Sequence, residues 1–289
     1  MTIKKRTTTR PKGSGSLLIE QTPDLMPYGL VMHGKAGIGK TSLAAELRRP
    51  NTKTLFVRDN KEKGIDRLIR TGRIPQGHVG MVKKKFSSGP GAFDQLCETC
   101  IDIAAKVDPK VYSVVAFDTA GGFEKFAATK CCAEEFKNVW GKDGFGGYAA
   151  GADAVAKRYW PQFLDCLETI KEAGMNVILI CHSHIKAFNN PEGADYDRWE
   201  PFLDKRAWKL TDGWADNVLF LNYAVTATKD TKRGTKYKAE DYERVICTQW
   251  CPAYDAKSRD GMPTTMPFTS PEETGKALRK YLHPVAPKA

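Results

Sequence analysis

Two kinds of apolar pattern alternate along the chain. Compact runs such as Leu30-Val31-Met32, Thr54-Leu55-Phe56-Val57, Tyr112-Ser113-Val114-Val115-Ala116-Phe117-Asp118 and Asn176-Val177-Ile178-Leu179-Ile180-Cys181 suit strands buried on both faces. Weaker runs at 78–82, 218–225 and 242–250 suit further strands. Elsewhere apolar residues return at helical spacing. Phe93, Leu96, Cys97, Cys100, Ile101, Ala104 and Val107 define one face of a helix over 91–107. Ala152, Val155, Ala156, Tyr159, Phe163, Cys166, Leu167 and Ile170 define another, with further helices expected at 42–47 and 271–281. The stretch 121–151 begins helical and runs into a Gly-rich loop at 141–148; 185–210 mixes Pro, Gly, Asp, Lys and aromatics and reads mainly as loop. There is no internal repeat. Strands alternating with helices predict an α/β fold with a mostly parallel central sheet flanked by helices. The active crevice then lies outside the strands' carboxyl ends.

The chain of 289 residues is long enough for one large domain, expected over 28–289 with C-terminal strands and a helix at its end. Residues 1–27, with Lys4, Lys5, Arg6, Arg10 and Lys12 before Gly13-Ser14-Gly15-Ser16, read as a flexible basic lead-in. No apolar run has the length of a membrane span and no signal segment opens the chain, so a cytoplasmic protein with no membrane partner is expected. A net charge of +11 favours a polyanionic partner such as nucleic acid. The eight cysteines include Cys97-x-x-Cys100 and the looser pair Cys247 and Cys251, which bring zinc into question; the helical spacing around Cys97 and Cys100 makes them core residues instead.

The sharpest chemical signal is Gly34-Lys35-Ala36-Gly37-Ile38-Gly39-Lys40-Thr41, which fits G-x-x-x-x-G-K-[ST] without a mismatch. It follows a strand and, with Ser42, opens a helix, so its backbone N–H groups can face a phosphate chain. Lys40 would reach the β- and γ-phosphates of ATP, and Thr41 would hold Mg²⁺. Asp118 ends an apolar strand where an acid would face the metal; the rival role is capping the next helix. Asp59, Glu62 and His182 also fall at strand ends.

These motifs, in this order, resemble the RecA-like P-loop ATPases, and within them the phage ATP-binding single-strand annealing proteins of the Sak group. The resemblance covers about 28–265, through GKAGIGKTS, RDNKEKGIDRL, VVAFDTA, VILICHSH, the segment at 214–217 and Ala256-Lys257-Ser258-Arg259-Asp260-Gly261. It implies a Mg-dependent ATPase in which Glu62, with Asp59 as competitor, activates water. The strand carrying His182 would insert between the P-loop and Asp118 strands, making His182 a γ-phosphate sensor or a plain buried histidine. Lys257 and Arg259 resemble the K-x-R element that reaches a neighbouring subunit's γ-phosphate; an exposed basic turn is the alternative. Single-stranded DNA and a homo-oligomer, ring or filament, are the implied partners. Loops at 141–148, 185–206 and 229–238 are candidates to hold the DNA, in recombination by annealing or strand pairing. A replication helicase, an accessory ATPase or a nucleotide switch with a protein partner are the rivals.

Overall fold

A computed structural model describes residues 26–230 and 234–283, with backbone alone over 225–242. The basic lead-in therefore lies almost wholly outside the described residues. In chain order the elements begin β1 (Gly29–Gly34), α1 (Lys40–Glu46), β2 (Lys53–Arg58), α2 (Gly64–Arg70), β3 (Val79–Met81), α3 (Gly91–Lys106), β4 (Tyr112–Asp118) and α4 (Ala120–Phe136). They continue with α5 (Ala150–Ala154), α6 (Trp160–Glu172), β5 (Asn176–Phe188), β6 (Tyr196–Pro201), α7 (Lys205–Trp214) and β7 (Asn217–Asp230). The last are β8 (Gly234–Cys247), β9 (Lys257–Ser258), β10 (Thr265–Pro267) and α8 (Pro271–Leu282).

The main sheet has the order β10-β8-β7-β1-β5-β4-β2-β3, with β6 on β5 and β9 on β7. From β7 to β3 all pairings are parallel, whereas β8 and β10 extend the sheet antiparallel. This is the expected α/β architecture, and β5 does insert between β1 and β4.

Alternation within the central strands divides the core between the two faces of the sheet, because successive side chains point opposite ways. Val31, Val57, Val115, Phe117, Val177 and Leu179 pack under α3, α4 and α6 on one face. Leu30, Met32, Phe56, Ala116, Ile178 and Ile180 pack under α1 and α8 on the other. Both sets are buried, so each strand reads as an unbroken apolar run. Cys97 and Cys100 lie in the first of these cores, as their helical spacing predicts.

Three expectations need correction. The stretch 185–210 is not mainly loop: β5 runs on to Phe188 and pairs antiparallel with β6, from Ser183 opposite Pro201 to Phe188 opposite Tyr196, and α7 follows. Its apolar signal fails because β5 beyond Cys181 leaves the core, and pairing rather than burial holds it. The late strands are longer than expected, so the basic stretch 229–238 is mostly strand; its tip, 231–233, lies outside the described residues. On α3, Ile101 is 55% exposed, because the buried stripe follows Phe93, Leu96, Cys97, Cys100 and Ile103 and leaves 101 on the solvent side.

Candidate nucleotide site

The P-loop leaves β1 at Gly34, turns through Lys35–Gly39 and enters α1 at Lys40. Gly39 has φ +113°, which an L side chain rarely adopts. The strand-to-helix reversal at this position thus demands glycine. The first N–H groups of α1 have no carbonyl of their own helix to bond, as at any helix start, and they lie where the loop opens. Ile38 is fully buried and anchors the turn from below.

A cavity of about 770 Å³ opens over this turn. Ala36, Gly37, Gly39, Lys40, Thr41 and Ser42 line its floor; Asp118, His182 and Glu62 enclose one side. Gly34, Lys35 and Ile38, although part of the motif, do not line it. Lys35 instead turns away, its Nζ 5.1 Å from the centre of the Trp199 ring on β6.

Lys40 is buried, and its ammonium donates to the carbonyls of Gly34 and Lys35 at 2.8 Å each. Burial lowers its pKa to about 8 despite the nearby Asp118 carboxylate. The Thr41 hydroxyl donates to Asp118 Oδ2 at 2.9 Å. Burial first, and the Glu62 charge second, push the Asp118 carboxyl up to about 7. A hydroxyl and a carboxylate side by side at a cavity wall, the carboxylate short of positive charge, form a donor set suited to a hard divalent cation. The residues present therefore fit Mg²⁺ together with a phosphate chain.

Asp59 and Glu62 divide their work. Asp59 Oδ1 accepts from the N–H groups of Lys61 and Glu62 at 2.7 and 3.0 Å. Its Oδ2 sits so close to Gly122 at the start of α4 that a Cβ there would lie 1.8 Å from it. A Cβ there would collide with Asp59, which holds the turn and does not border the cavity. Glu62 borders the cavity, its Oε1 accepting from Gly64 N at 2.5 Å. His182 pairs in register with Gly34 at the end of β1. Burial and then the Lys40 charge lower its pKa, which favours a neutral imidazole at pH 7.

Lys257 and Arg259 lie elsewhere. The short strand β9 pairs with the beginning of β7, Val218 opposite Lys257 and Asn217 opposite Ser258. That is the amino end of the parallel strands, away from the P-loop. Lys257 bonds the Asp212 carbonyl, and Arg259 Nη1 meets Asp216 Oδ1 at 3.1 Å. Of the aromatics in the loop at 141–148, Phe145 packs on Phe136 and Trp140, whereas Tyr148 is fully exposed.

Two features left no trace in the motifs, one a buried histidine outside the cavity and the other on its border. His33 is wholly buried in β1; its Nε2 donates to the Asp255 carbonyl at 2.7 Å, so its Nδ1 accepts from the Ser183 hydroxyl at 2.9 Å. Burial lowers its pKa to about 4, keeping it neutral. Three arginines, Arg67, Arg73 and Arg244, also border the cavity. A lone histidine in an apolar run and scattered arginines carry no spacing signal, and only the fold assembles them.

Among the described residues no helix is long and apolar enough to cross a membrane. A family model described as an AAA domain matches residues 26–260. No curated protein matches the chain.

Proposed function

Because the chain belongs to the AAA domain family, whose P-loop form is that of an ATP-binding protein, we propose that it is a Mg-dependent RecA-like ATPase acting on single-stranded DNA. In this reading it anneals or pairs strands as the phage Sak group does, and works as a homo-oligomer. The observation that carries the ATPase reading is the convergence of Lys40, Thr41, Asp118, Glu62 and His182 on one cavity. The DNA reading draws on the net charge of +11 and the resemblance in motif order.

ATP with Mg²⁺ supplies the phosphoryl group and the charge-neutralising metal. Lys40 and the backbone of the loop bind the phosphates, and Thr41 and Asp118 hold the metal. Glu62 orients a water and takes its proton, with Asp59 fixing the turn that carries it. His182 stands on the same wall to report the γ-phosphate. Glu62→Gln should keep ATP affinity and slow turnover by about a hundredfold, since a positioned base contributes on that order. Stopped-flow phosphate release checks this, and an Asp59→Asn protein with equal turnover loss and intact fold would move the base to Asp59.

The DNA reading is tested by titrating labelled oligonucleotides of two compositions across a salt series, with ATPase measured in parallel. Binding indifferent to sequence is expected to weaken roughly a hundredfold between ~50 and ~200 mM salt if about five phosphates are contacted. DNA should also stimulate turnover. No binding at low salt with nucleotide present would favour a switch with a protein partner, and processive unwinding would favour a helicase.

A further inference from the structure

The reacting end of the cavity is fixed by Asp118 at the end of β4, Glu62 in the turn after β2, and His182 on β5. Its other side is bounded by Arg244 on β8 and Pro271 at the start of α8. In the sheet order, β8 lies four strand intervals from β4, across β7, β1 and β5, or about 19 Å. Arg244 pairs in register with Tyr223, two residues beyond Leu221, which stands opposite Gly34. Arg244 thus sits level with the P-loop and approaches it from the side opposite the metal-binding acid.

The guanidinium is held rigidly. Its Cζ lies 4.1 Å from the centre of the buried Phe268 ring, so one face is covered. Nη1 donates to the carbonyl of Ile38 at 3.2 Å and Nη2 to that of Thr269 at 3.0 Å. The pair also packs against the P-loop: a Cβ on Gly39 would lie 2.9 Å from Phe268 and 3.0 Å from Arg244. Among the described residues Arg244 has no acidic partner. A flat cation, backed by an aromatic ring and tied in plane by two carbonyls, is pre-organised to stack on a second flat π-system.

We infer that Arg244, backed by Phe268, is the platform on which the base of the bound nucleotide stacks. The inference rests on the ATP-binding reading above and adds the part of the site that recognises the base. A stacking surface reads ring area rather than exocyclic groups, so it favours purines over pyrimidines and separates adenine from guanine weakly.

Calorimetric titration of the full chain with the magnesium complexes of ATP, UTP and inorganic tripolyphosphate tests this. The unsubstituted protein should bind ATP tighter than UTP, and UTP tighter than tripolyphosphate. Arg244→Ala should weaken ATP by about tenfold and leave tripolyphosphate unchanged. Arg244→Lys, which keeps the charge and loses the plane, should behave like the alanine variant. Equal weakening of ATP and tripolyphosphate would make Arg244 a prop for the loop through Ile38, and full ATP affinity in Arg244→Lys would make it a point charge; either overturns the platform. If Arg244→Ala fails to fold, the ligand series on the unsubstituted protein still decides, because ATP no tighter than tripolyphosphate leaves no base contact to assign. Failure to bind either ligand would instead overturn the nucleotide reading itself.

Discussion

Lys40→Ala is expected to weaken ATP binding by about a hundredfold or more while the circular dichroism spectrum stays unchanged. The ammonium is already desolvated, donating to the carbonyls of Gly34 and Lys35. A phosphate chain offers full negative charge in place of those neutral acceptors, so the lysine is worth more in the complex than in the free loop. The same burial produces a pH signature. Binding needs the protonated amine, and in the free protein its pKa is lowered to about 8. ATP affinity should therefore fall about tenfold per unit above pH 8, as one proton must then be taken up with the nucleotide; below pH 7 protonation of Asp118, whose pKa is pushed up to about 7, should weaken the magnesium complex separately. Lys40→Ala should lose both the affinity and this dependence. Calorimetry over pH 6.5 to 9.5 with both proteins reads the two effects together, and unchanged affinity in the variant would remove Lys40 from the site.

Arg259→Ala should bind ATP almost normally yet turn it over roughly a thousandfold more slowly, the scale on which a guanidinium delivered to a transferring phosphoryl group acts. The geometry makes this a claim about assembly. Arg259 pairs with Asp216, whose other carboxylate oxygen accepts from Gly29 N at 2.8 Å, so both belong to the amino end of β1. Five residue steps separate Gly29 from the P-loop at Gly34, roughly 16 Å of strand. Arg259 cannot serve the pocket of its own chain at that distance; a neighbour's pocket is the target we propose. It is 57% exposed and its ion pair lies at the surface, so removing it should cost little stability. Mixing Arg259→Ala with Lys40→Ala subunits should restore part of the turnover wherever an intact pocket meets an intact arginine. A surface-turn role predicts normal turnover in Arg259→Ala alone. Loss without rescue in confirmed mixed assemblies would place its effect within the chain.

The parts of the site that sequence disclosed are those whose geometry is short-range. The spacing from Gly34 to Thr41 is one continuous turn, and Asp118 and His182 stand where the apolar runs of β4 and β5 stop, which their parallel pairing brings together. What stayed hidden depends on distant pairing or on polar surroundings. The outer half of β5 is held by β6 rather than by burial, so its residues show no alternation. On α2 only Ile65 is buried, too little for a periodic signal, although this helix brings Arg67 to the cavity. Asp59 and Glu62 both fit the expected acid in sequence, and only the fold shows Glu62 bordering the cavity while Asp59 bonds the turn beside it.

The closure of the P-loop by segments distant in sequence bears on how the protein is made. Arg244 bonds the Ile38 carbonyl across 206 residues of sequence, and Arg279 of α8 bonds the Glu46 carbonyl at the end of α1 across 233. During synthesis the loop therefore emerges long before the segments that pack against it. Contacts of such sequence separation form late and slow the folding of a domain. A nascent chain holding every phosphate-binding residue would still lack Phe268 and α8, leaving the apolar side of α1 exposed to solvent or to chaperones. Nucleotide holding is then expected to follow the docking of β8 and α8, whose contacts to the loop and to α1 span 206 and 233 residues.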